Sequence, residues 1–343
     1  MDRTGIAVGL AALVLAVWVY QPLSRASVVY EDDQWLQGSA AWTIPGRGLS
    51  QWTATIVGLD AGRQHLVNVG LHLLTGGALG LVAGTLASPL AGVFAAAIWW
   101  LHPLNVEAAA YISARGDLLV ALCALLSVWC ALAWSRHGAV WRLGMLVPLL
   151  AGAVLSKEIG VMAIPLTVMT LLVLGRRQPY TWLRMALMGA SGVVLGLAWH
   201  RILSWVALNP DEGGSVFAWP QFAVLQLTAL WHLLALIVWP VGLSIDHDTI
   251  GLAAPWTTAA LVGSAAAVVA ALVCWRRRPI MTWAVLWLAL SVAPRFLVPT
   301  NEFLKEYTLY PAWLGLAVLL GQATAWCWTA RPRAALEPLG VRA

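Results

Sequence analysis

Apolar residues form long, nearly uninterrupted stretches along most of the chain, and short polar segments separate them. An α-helix needs about 20 apolar residues to cross the hydrocarbon core of a bilayer. The pattern therefore predicts an all-α integral membrane protein with about ten transmembrane helices. The predicted spans are residues 5–22, 65–85, 87–101, 117–135, 143–157, 160–175, 184–204, 254–275, 280–294 and 310–328.

One further apolar stretch, 221–241, can be placed only by charge. Cytoplasmic loops are enriched in Lys and Arg, and the basic segments are 136–142, 176–184, 276–278 and 331–333. All of them lie on the cytoplasmic side if 221–241 does not cross. We therefore predict an interfacial or re-entrant helix there and two cytoplasmic termini. The chain is then one polytopic membrane domain, 1–343, with external loops at 23–62 and 205–253.

Composition agrees with this class. The chain of 343 residues is 61% hydrophobic and 10% charged, whereas soluble domains carry about a quarter charged residues. The net charge of +5 does not indicate a nucleic-acid partner, because of how the basic residues are distributed along the loops. No glycine-rich phosphate loop or nucleotide motif is present. Any group transfer outside the cytoplasm must therefore take its activated donor from the membrane.

The acidic residues are one-sided in this topology, since only Asp2 and Glu337 stay cytoplasmic. Loops are polar in any case, which explains acids in turns. That explanation is weaker for Glu107, Asp117 and Glu158, which lie at or within apolar helices where ionisable groups are costly. Their clustering on the outer face suggests a function.

The first external loop begins with three consecutive carboxylates, Glu31, Asp32 and Asp33. Like charges at close range raise one another's pKa, and a carboxylate raised in this way can act as a general base. The alternative is an acidic surface loop or a helix N-cap, with Asp33 capping a helix that starts at Gln34. Because Asp33 is the better cap, Asp32 is preferred as the base.

A polar face is predicted on the second span, where His65, Asn68 and His72 follow one another at helical spacing. Such a face must meet protein or water inside a membrane, so hydrogen bonds between helices are its simplest role. Two His residues two turns apart are about 10 Å from each other, too far to chelate a metal without other ligands. We expect no metal site and no cofactor, although the sequence does not settle whether a divalent metal is needed.

The richest polar segment is 99–119, which links the third and fourth spans on the outside. It contains His102, Glu107, Arg115 and Asp117. Pro103 disfavours helix at His102, and an acid near the next helix start suits the helix dipole. The alternative to a functional hairpin is an ion-paired structural turn.

Three later segments add charge to the same side. Lys157 and Glu158 lie between two spans with almost no loop, and Asp246, His247 and Asp248 follow the stretch 221–241. The last span is preceded by Arg295, Lys305, Glu306 and Tyr310. External Arg and Lys beside a membrane suit a lipid phosphate, and the alternative is that they anchor helices by snorkelling.

In this order the segments resemble the membrane portion of the TMTC-type protein O-mannosyltransferases, which belong to the GT-C class of glycosyltransferases. The similarity covers about residues 28–320. It is carried by Asp32-Asp33, by His65-Leu-Val-Asn68 with Leu71-His72, by Leu101-His-Pro103 with Glu107-Ala108 and Arg115-Gly-Asp117, by Lys157-Glu158, and by Glu306-Tyr-Thr-Leu-Tyr310-Pro311. The block from His102 to Leu119 is the most specific part. Tyr307 stands where the family has Arg, and the following proline comes one residue early.

The resemblance implies a GT-C-like fold and an inverting transfer of a sugar from a polyprenyl-phosphate donor to a hydroxyl of an acceptor protein or glycan. Asp32 or Asp33 would be the base. The residues implied for donor-phosphate and substrate binding are His102, Glu107, Arg115, Asp117, Lys157, Glu158, Arg295, Lys305, Glu306 and Tyr310, with His65, Asn68 and His72 as helix-face support. The family's TPR repeats are not expected here, so the acceptor would be presented differently. The bilayer is the obligate partner, and a bacterial inner membrane is the expected location.

Two other classes of function fit the same residues. A polytopic transporter or lipid flippase would also carry ionisable groups in membrane helices, but such proteins usually show internal repeats and charges near the midplane. A non-catalytic assembly subunit would need a stable partner and would tolerate substitution of Asp32 and Glu107.

Overall fold

The computed structural model describes residues 3–28, 32, 48–139, 141–175, 218–245, 247, 254–297 and 305–330. Within these residues the fold is all-helical. The α-helices are α1 (Arg3–Tyr20), α2 (Gly48–Val57), α3 (Ala61–Leu86), α4 (Pro89–Leu101), α5 (Val106–Ala110), α6 (Arg115–His137), α7 (Trp141–Ser156), α8 (Ala163–Leu174), α9 (Trp219–Val238), α10 (Ala254–Cys274), α11 (Pro279–Leu297), α12 (Glu306–Leu309) and α13 (Leu314–Ala330). Short 3-10 helices cover Gln21–Arg25, Pro103–Asn105, Ile112–Ala114 and Glu158–Met162.

Six helical segments of the described chain are long and apolar enough to cross a membrane: Arg3–Arg25, Ala61–Leu86, Ile112–His137, Pro220–Val238, Thr257–Cys274 and Pro279–Phe296. A bent pair, Pro89–Leu101 and Pro103–Ala110, adds a seventh if its two limbs form one span. Three shorter apolar helices cover Trp141–Ser156, Glu158–Leu174 and Leu314–Ala330. These helices support an integral membrane protein, while the predicted number of ten spans stays a prediction. The predicted span 184–204 lies outside the described residues.

The centre of the bundle is α6, whose side chains are mostly buried against α3, α7 and α8. Its neighbour α4 packs between α3, α13 and α1. Here small residues allow close approach: a Cβ atom on Gly92 of α4 would lie 2.4 Å from the Gly80 carbonyl oxygen of α3. Helices in lipid associate through such contacts between small residues, because no hydrophobic effect drives them together.

The two ends of the bundle differ in charge. At the end we call the site end, the N-termini of α3 and α6 meet the C-termini of α4 and α7. The Asp and Glu residues that the structure describes all lie there: Asp32, Asp60, Glu107, Asp117, Glu158 and Glu306. Asp60 caps α3 by accepting a hydrogen bond of 2.8 Å from the Arg63 amide, and the others surround the polar cluster described below.

At the opposite, basic end lie Arg136 in the last turn of α6 and Arg142 in the first turn of α7. The segment 276–278 belongs to the same end, because the Trp283 indole of α11 donates to Thr170 Oγ1 near the end of α8 (2.8 Å). The acids that the structure describes are therefore separated from the arginines of 136–142 and 276–278. Which side faces the cytoplasm stays a prediction.

Helix α9 corresponds to the stretch predicted not to cross. Its C-terminal carbonyl at Ile237 contacts His102 at the site end (2.9 Å). Six residues earlier, the Trp231 indole reaches Ser264 Oγ in the middle of α10 (2.8 Å). The helix thus runs from the site end into the bundle, and it is long enough to span. The interfacial or re-entrant placement of 221–241 therefore stays a prediction.

Candidate functional site

Asp32 is held by the start of the α6 segment. Its side chain is fully buried, and its two oxygens accept hydrogen bonds from the amides of Ile112 (3.0 Å) and Ser113 (2.9 Å). These amides belong to the 3-10 turn Ile112–Ala114, where backbone donors lack helical partners. The carboxylate also acts electrostatically on the Arg115 guanidinium. Asp32 thus joins the first external loop to the N-terminus of α6.

The polar face of α3 meets protein and anchors Arg115. Asn68 Oδ1 accepts from Arg115 Nε (2.9 Å), and Asn68 Nδ2 donates to the Tyr111 carbonyl (2.9 Å). Arg115 Nη2 donates to the Gln64 carbonyl (3.0 Å). All of these side chains are buried. Arg115 is therefore held by α3 and by the Asp32 charge in the interior.

A buried ion pair joins α6 to the break after α7. Lys157 has extended backbone between Ser156 and the 3-10 helix, and its Nζ lies 2.5 Å from Asp117 Oδ2. Gly116 makes this approach possible, because a Cβ atom there would lie 2.9 Å from the Ser156 carbonyl oxygen. Lys157 Nζ is also 5.1 Å from the centre of the Tyr307 ring, a favourable position for a cation over an aromatic face.

Glu107 connects this pair to the α12 segment. One of its oxygens accepts from the Tyr307 amide (2.7 Å), and Oε1 is buried without a hydrogen-bond partner among the described residues. Burial raises the pKa of the Glu107 carboxyl to about 8, and the nearby carboxylates of Glu306 and Asp117 act in the same direction. Glu107 lies outside the six single-helix candidate spans, in the second limb of the bent pair Pro89–Leu101 and Pro103–Ala110. Burial therefore favours the protonated form of this carboxyl.

Glu306 ties the chain after α9 to α12. Its Oε1 accepts from the Ser244 amide (2.8 Å) and lies 2.9 Å from His247 Nε2. The His247 ring packs edge-on against His232 of α9, with ring centres 5.1 Å apart. Asp246 and Asp248, from the same predicted segment, lie outside the described residues.

Below this layer, a second network joins α3, α4 and the segment before α13. The Tyr310 hydroxyl lies 2.9 Å from His72 Nδ1 and accepts from the Trp99 indole (3.2 Å). His72 Nε2 lies 3.3 Å from the Trp100 carbonyl. All of this is buried, so His72 and Tyr310 act as packing and hydrogen-bonding partners of the helices.

His102 stabilises the bend at the end of α4. Its Nδ1 accepts from the Leu104 amide (3.2 Å), and its Nε2 lies 2.9 Å from the Ile237 carbonyl. This arrangement requires the neutral ring with the proton on Nε2, and burial lowers the pKa of the His102 imidazole accordingly. Asn105 helps by donating to the Trp99 carbonyl (2.8 Å).

The structure thus brings together Asp32, Arg115, Asp117, Lys157, Glu107 and Glu306 with the chain around Lys305. It places other predicted residues at the margin. Glu158 and Arg295 are partly exposed. His65 is buried with Nε2 3.2 Å from the Ser27 carbonyl. Asp33 lies outside the described residues.

Three residues of the network did not stand out in the sequence. Gln64 supplies the carbonyl for Arg115, and its own amide donates to the Ala54 carbonyl (2.9 Å). Asn105 accepts from the Trp313 indole (3.1 Å). Tyr307, noted only as a departure from the family pattern, contacts both Glu107 and Lys157. A polar side chain in an otherwise apolar helix was the signal available for Gln64 and Asn105.

Metal ligation finds no support in the described part of the chain, where no three His, Cys, Asp or Glu side chains form a ligand set. The expectation that no cofactor is needed stays a prediction. The arrangement offers acids and bases held at defined positions, with two partly accessible cations, Lys305 and Arg295, at its edge.

Comparison with known proteins gives one partial similarity. A stretch of 104 residues is 39% identical to the protein O-mannosyl-transferase Tmtc1 of Drosophila melanogaster. The match covers 29% of this chain and 12% of that protein. No protein-family model matches the chain. No solved structure matches it.

Proposed function

We propose that this protein is an inverting glycosyltransferase that moves a sugar from a polyprenyl-phosphate donor to an acceptor hydroxyl at the site end. The observation that carries the proposal is the convergence of Asp32, Arg115, Asp117, Lys157 and Glu107 at one end of an apolar bundle. These residues come from three separate parts of the chain, around Asp32, from Glu107 to Asp117 and at Lys157, and ionisable groups at membrane helices indicate a functional site.

The partial similarity to Tmtc1, named as a protein O-mannosyl-transferase, supports the reaction class. The acceptor is then a protein hydroxyl or a glycan, and the fold is GT-C-like with about ten spans in one domain. The site end faces away from the cytoplasm, in a bacterial inner membrane. A lipid-linked donor fits because the chain has no nucleotide-binding motif.

In the reaction, a carboxylate takes the proton of the acceptor hydroxyl, and the oxygen attacks the anomeric carbon. The bond from that carbon to the phosphate oxygen breaks, and the configuration inverts. A base must contact the acceptor, and Asp32 is fully buried with both oxygens bonded to amides. This arrangement favours Asp33 as the residue that contacts the acceptor and Asp32 as the residue that positions Asp33. It is opposite to the preference for Asp32 as the base that the capping pattern gave.

The leaving phosphate needs cations. Lys157 is paired with Asp117 and Arg115 with α3, so both shape the site from the interior. Lys305 and Arg295 are partly exposed at its edge and suit direct contact with a lipid phosphate. Charge developing on the phosphate is stabilised most strongly where donors are fixed in advance.

Mass spectrometry of the lipid that co-purifies with the protein tests this proposal. We expect a polyprenyl-phosphate sugar, retained by the wild type and depleted when Lys305 and Arg295 are both replaced by Gln. Absence of such a lipid, even after the membranes are supplied with polyprenyl-phosphate hexoses, would contradict the proposal.

The buried Asp117–Lys157 pair also favours a second candidate, a transporter or flippase, since paired charges inside membranes mark transport pathways. Reconstitution into liposomes separates the two functions. A transferase makes a covalent product from the lipid-linked sugar, whereas a flippase moves the lipid across the bilayer and leaves it unchanged.

A further inference from the structure

Among the described residues, the basic end carries arginines and no Asp or Glu. From residue 118 to residue 157 the chain contains Arg136 and Arg142 and no Asp or Glu, and from 159 to 210 it again contains no acid. The acids that flank the first stretch, Asp117 and Glu158, both lie at the site end. Helix α6 separates the ends by 23 residues, about 35 Å at 1.5 Å per residue. These acids therefore cannot neutralise Arg142.

Arg142 is held in an aromatic setting. Its guanidinium carbon lies 5.2 Å from the Trp141 ring centre and 5.7 Å from that of Trp129 on α6. Both distances allow attraction between a cation and an aromatic face. A planar guanidinium beside aromatic rings donates hydrogen bonds from its edge. A compact ammonium group has no such plane and edge.

The guanidinium is also short of acceptors. Nε and Nη1 are buried and have no hydrogen-bond partner among the residues that the structure describes. Charged donors left unpaired away from water are costly in free energy. A guanidinium with two nitrogens out of contact with water therefore gains free energy when an anion binds to its third nitrogen. Nη2 is the nitrogen left for such a ligand.

The surroundings are those of a membrane boundary. Trp141, Met145 and Val147 present large apolar side chains that are 63%, 44% and 72% exposed. On an integral membrane protein such a surface meets lipid, and the first turn of α7 carries Arg142 at its edge. Arg136 lies at the same end and adds positive charge. An anion that reaches Arg142 from the lipid-facing side therefore belongs to a molecule with acyl chains.

We propose that Arg142, flanked by Trp129 and Trp141 at the basic end, binds the phosphate of an anionic phospholipid headgroup. The apolar side chains beside it hold the acyl chains, and the guanidinium edge contacts the phosphate oxygens. This site is independent of the proposed transferase function, because it lies at the other end of α6.

Native mass spectrometry of the full-length protein in detergent tests the site by titration with phosphatidylglycerol, with phosphatidylcholine and with inorganic phosphate. We expect wild type to bind one phosphatidylglycerol about tenfold more tightly than Arg142→Gln does, the value of one charge-assisted hydrogen bond. Phosphatidylcholine should bind both proteins equally weakly. Arg277→Gln is the matched control, since it removes an exposed arginine from the same end without flanking contacts recorded in the described structure.

Equal affinity of wild type and Arg142→Gln for phosphatidylglycerol would overturn the proposal, and so would an equal loss in Arg277→Gln, which would indicate diffuse charge. Occupancy by inorganic phosphate that excludes the lipid at similar concentration would overturn the lipid assignment. If Arg142→Gln does not fold, Arg142→Lys carries the test. It keeps the charge but not the planar edge, and we expect it to bind phosphatidylglycerol more weakly than wild type, whereas unchanged affinity would contradict the proposed geometry.

Discussion

The site end and the basic end of the bundle treat charge in opposite ways. At the site end, carboxylates are matched by groups of the protein itself: amides for Asp32, Lys157 for Asp117, and His247 with an amide for Glu306. At the basic end, Arg142 has no carboxylate partner among the described residues and is flanked by Trp rings. The charges of the site end are thus neutralised by groups of the protein, whereas Arg142 at the basic end depends on its surroundings for an anion.

This difference indicates where specific chemistry is located. A network of buried charges and hydrogen bonds fixes side chains to one arrangement, which a reaction requires. Charged side chains that interact with lipid require no such network and tolerate substitution more readily. Substitutions should therefore cost more at the site end than at the basic end.

The largest effect is expected for the Asp117–Lys157 pair. Asp117→Asn leaves the buried Lys157 ammonium without its counter-charge, which costs about 3–5 kcal/mol of unfolding free energy. The double variant Asp117→Asn with Lys157→Met should recover much of this loss, since no buried charge is left unpaired. Thermal unfolding in detergent of both single variants and the double variant measures the coupling. Additive losses would show that the two side chains do not form a pair.

A smaller loss is expected at Asn68, which binds Arg115 and the Tyr111 carbonyl. Asn68→Leu keeps the size but removes both bonds, and we expect a loss of about 1–3 kcal/mol. Asn68→Asp is the matched variant, because it keeps an acceptor for Arg115 Nε and should be less destabilised. Chemical denaturation in the same detergent ranks the two. A more stable Leu variant would contradict the hydrogen-bonding role of this face.

Glu107 should make stability depend on pH. Its folded-state pKa of about 8 is above the ordinary value, so the native protein binds one more proton than the unfolded chain between about pH 4.5 and 8. Stability therefore falls as pH rises through this window. Glu107→Gln should flatten that part of the profile of melting temperature against pH. A slope as steep in Glu107→Gln as in the wild type would contradict the raised pKa of the Glu107 carboxyl.

The smallest effect is expected at His247. Its contact with Glu306 is partly exposed, and the Ser244 amide still binds the carboxylate when the imidazole is removed. His247→Ala should cost about 1 kcal/mol or less. His137→Ala, at an exposed histidine of the basic end, should cost nothing measurable. A loss at His247 as large as that at Asp117 would reverse the order argued here.

Much of this comparison could be predicted from sequence, because ionisable residues are rare in membrane helices and stand out where they occur. The apolar stretches indicated the helical class, and Glu107, Asp117 and Glu158 stood out as ionisable groups at apolar helices. Which groups pair could not be predicted. The partners of Asp32 are backbone amides 80 residues away, and backbone donors have no signature in sequence.

The direction of α9 was also beyond the sequence. The prediction for 221–241 depended on loop charge, which carries no information on the contacts of Ile237 with His102 and of Trp231 with Ser264. The partners of Asp32 could not be predicted for a related reason, because its carboxylate accepts hydrogen bonds from amides of a turn far away in the chain. The choice between Asp32 and Asp33 as the base stays a prediction, since Asp33 lies outside the described residues.

The most direct test of the central claim is sugar transfer by the purified protein in nanodiscs, supplied with polyprenyl-phosphate hexoses and a hydroxyl acceptor. The account predicts product from the wild type, and a loss of about 100-fold or more in Asp33→Asn and in the double variant with Asp32→Asn, the usual contribution of a general base. Full activity in both single variants and in the double variant would contradict it.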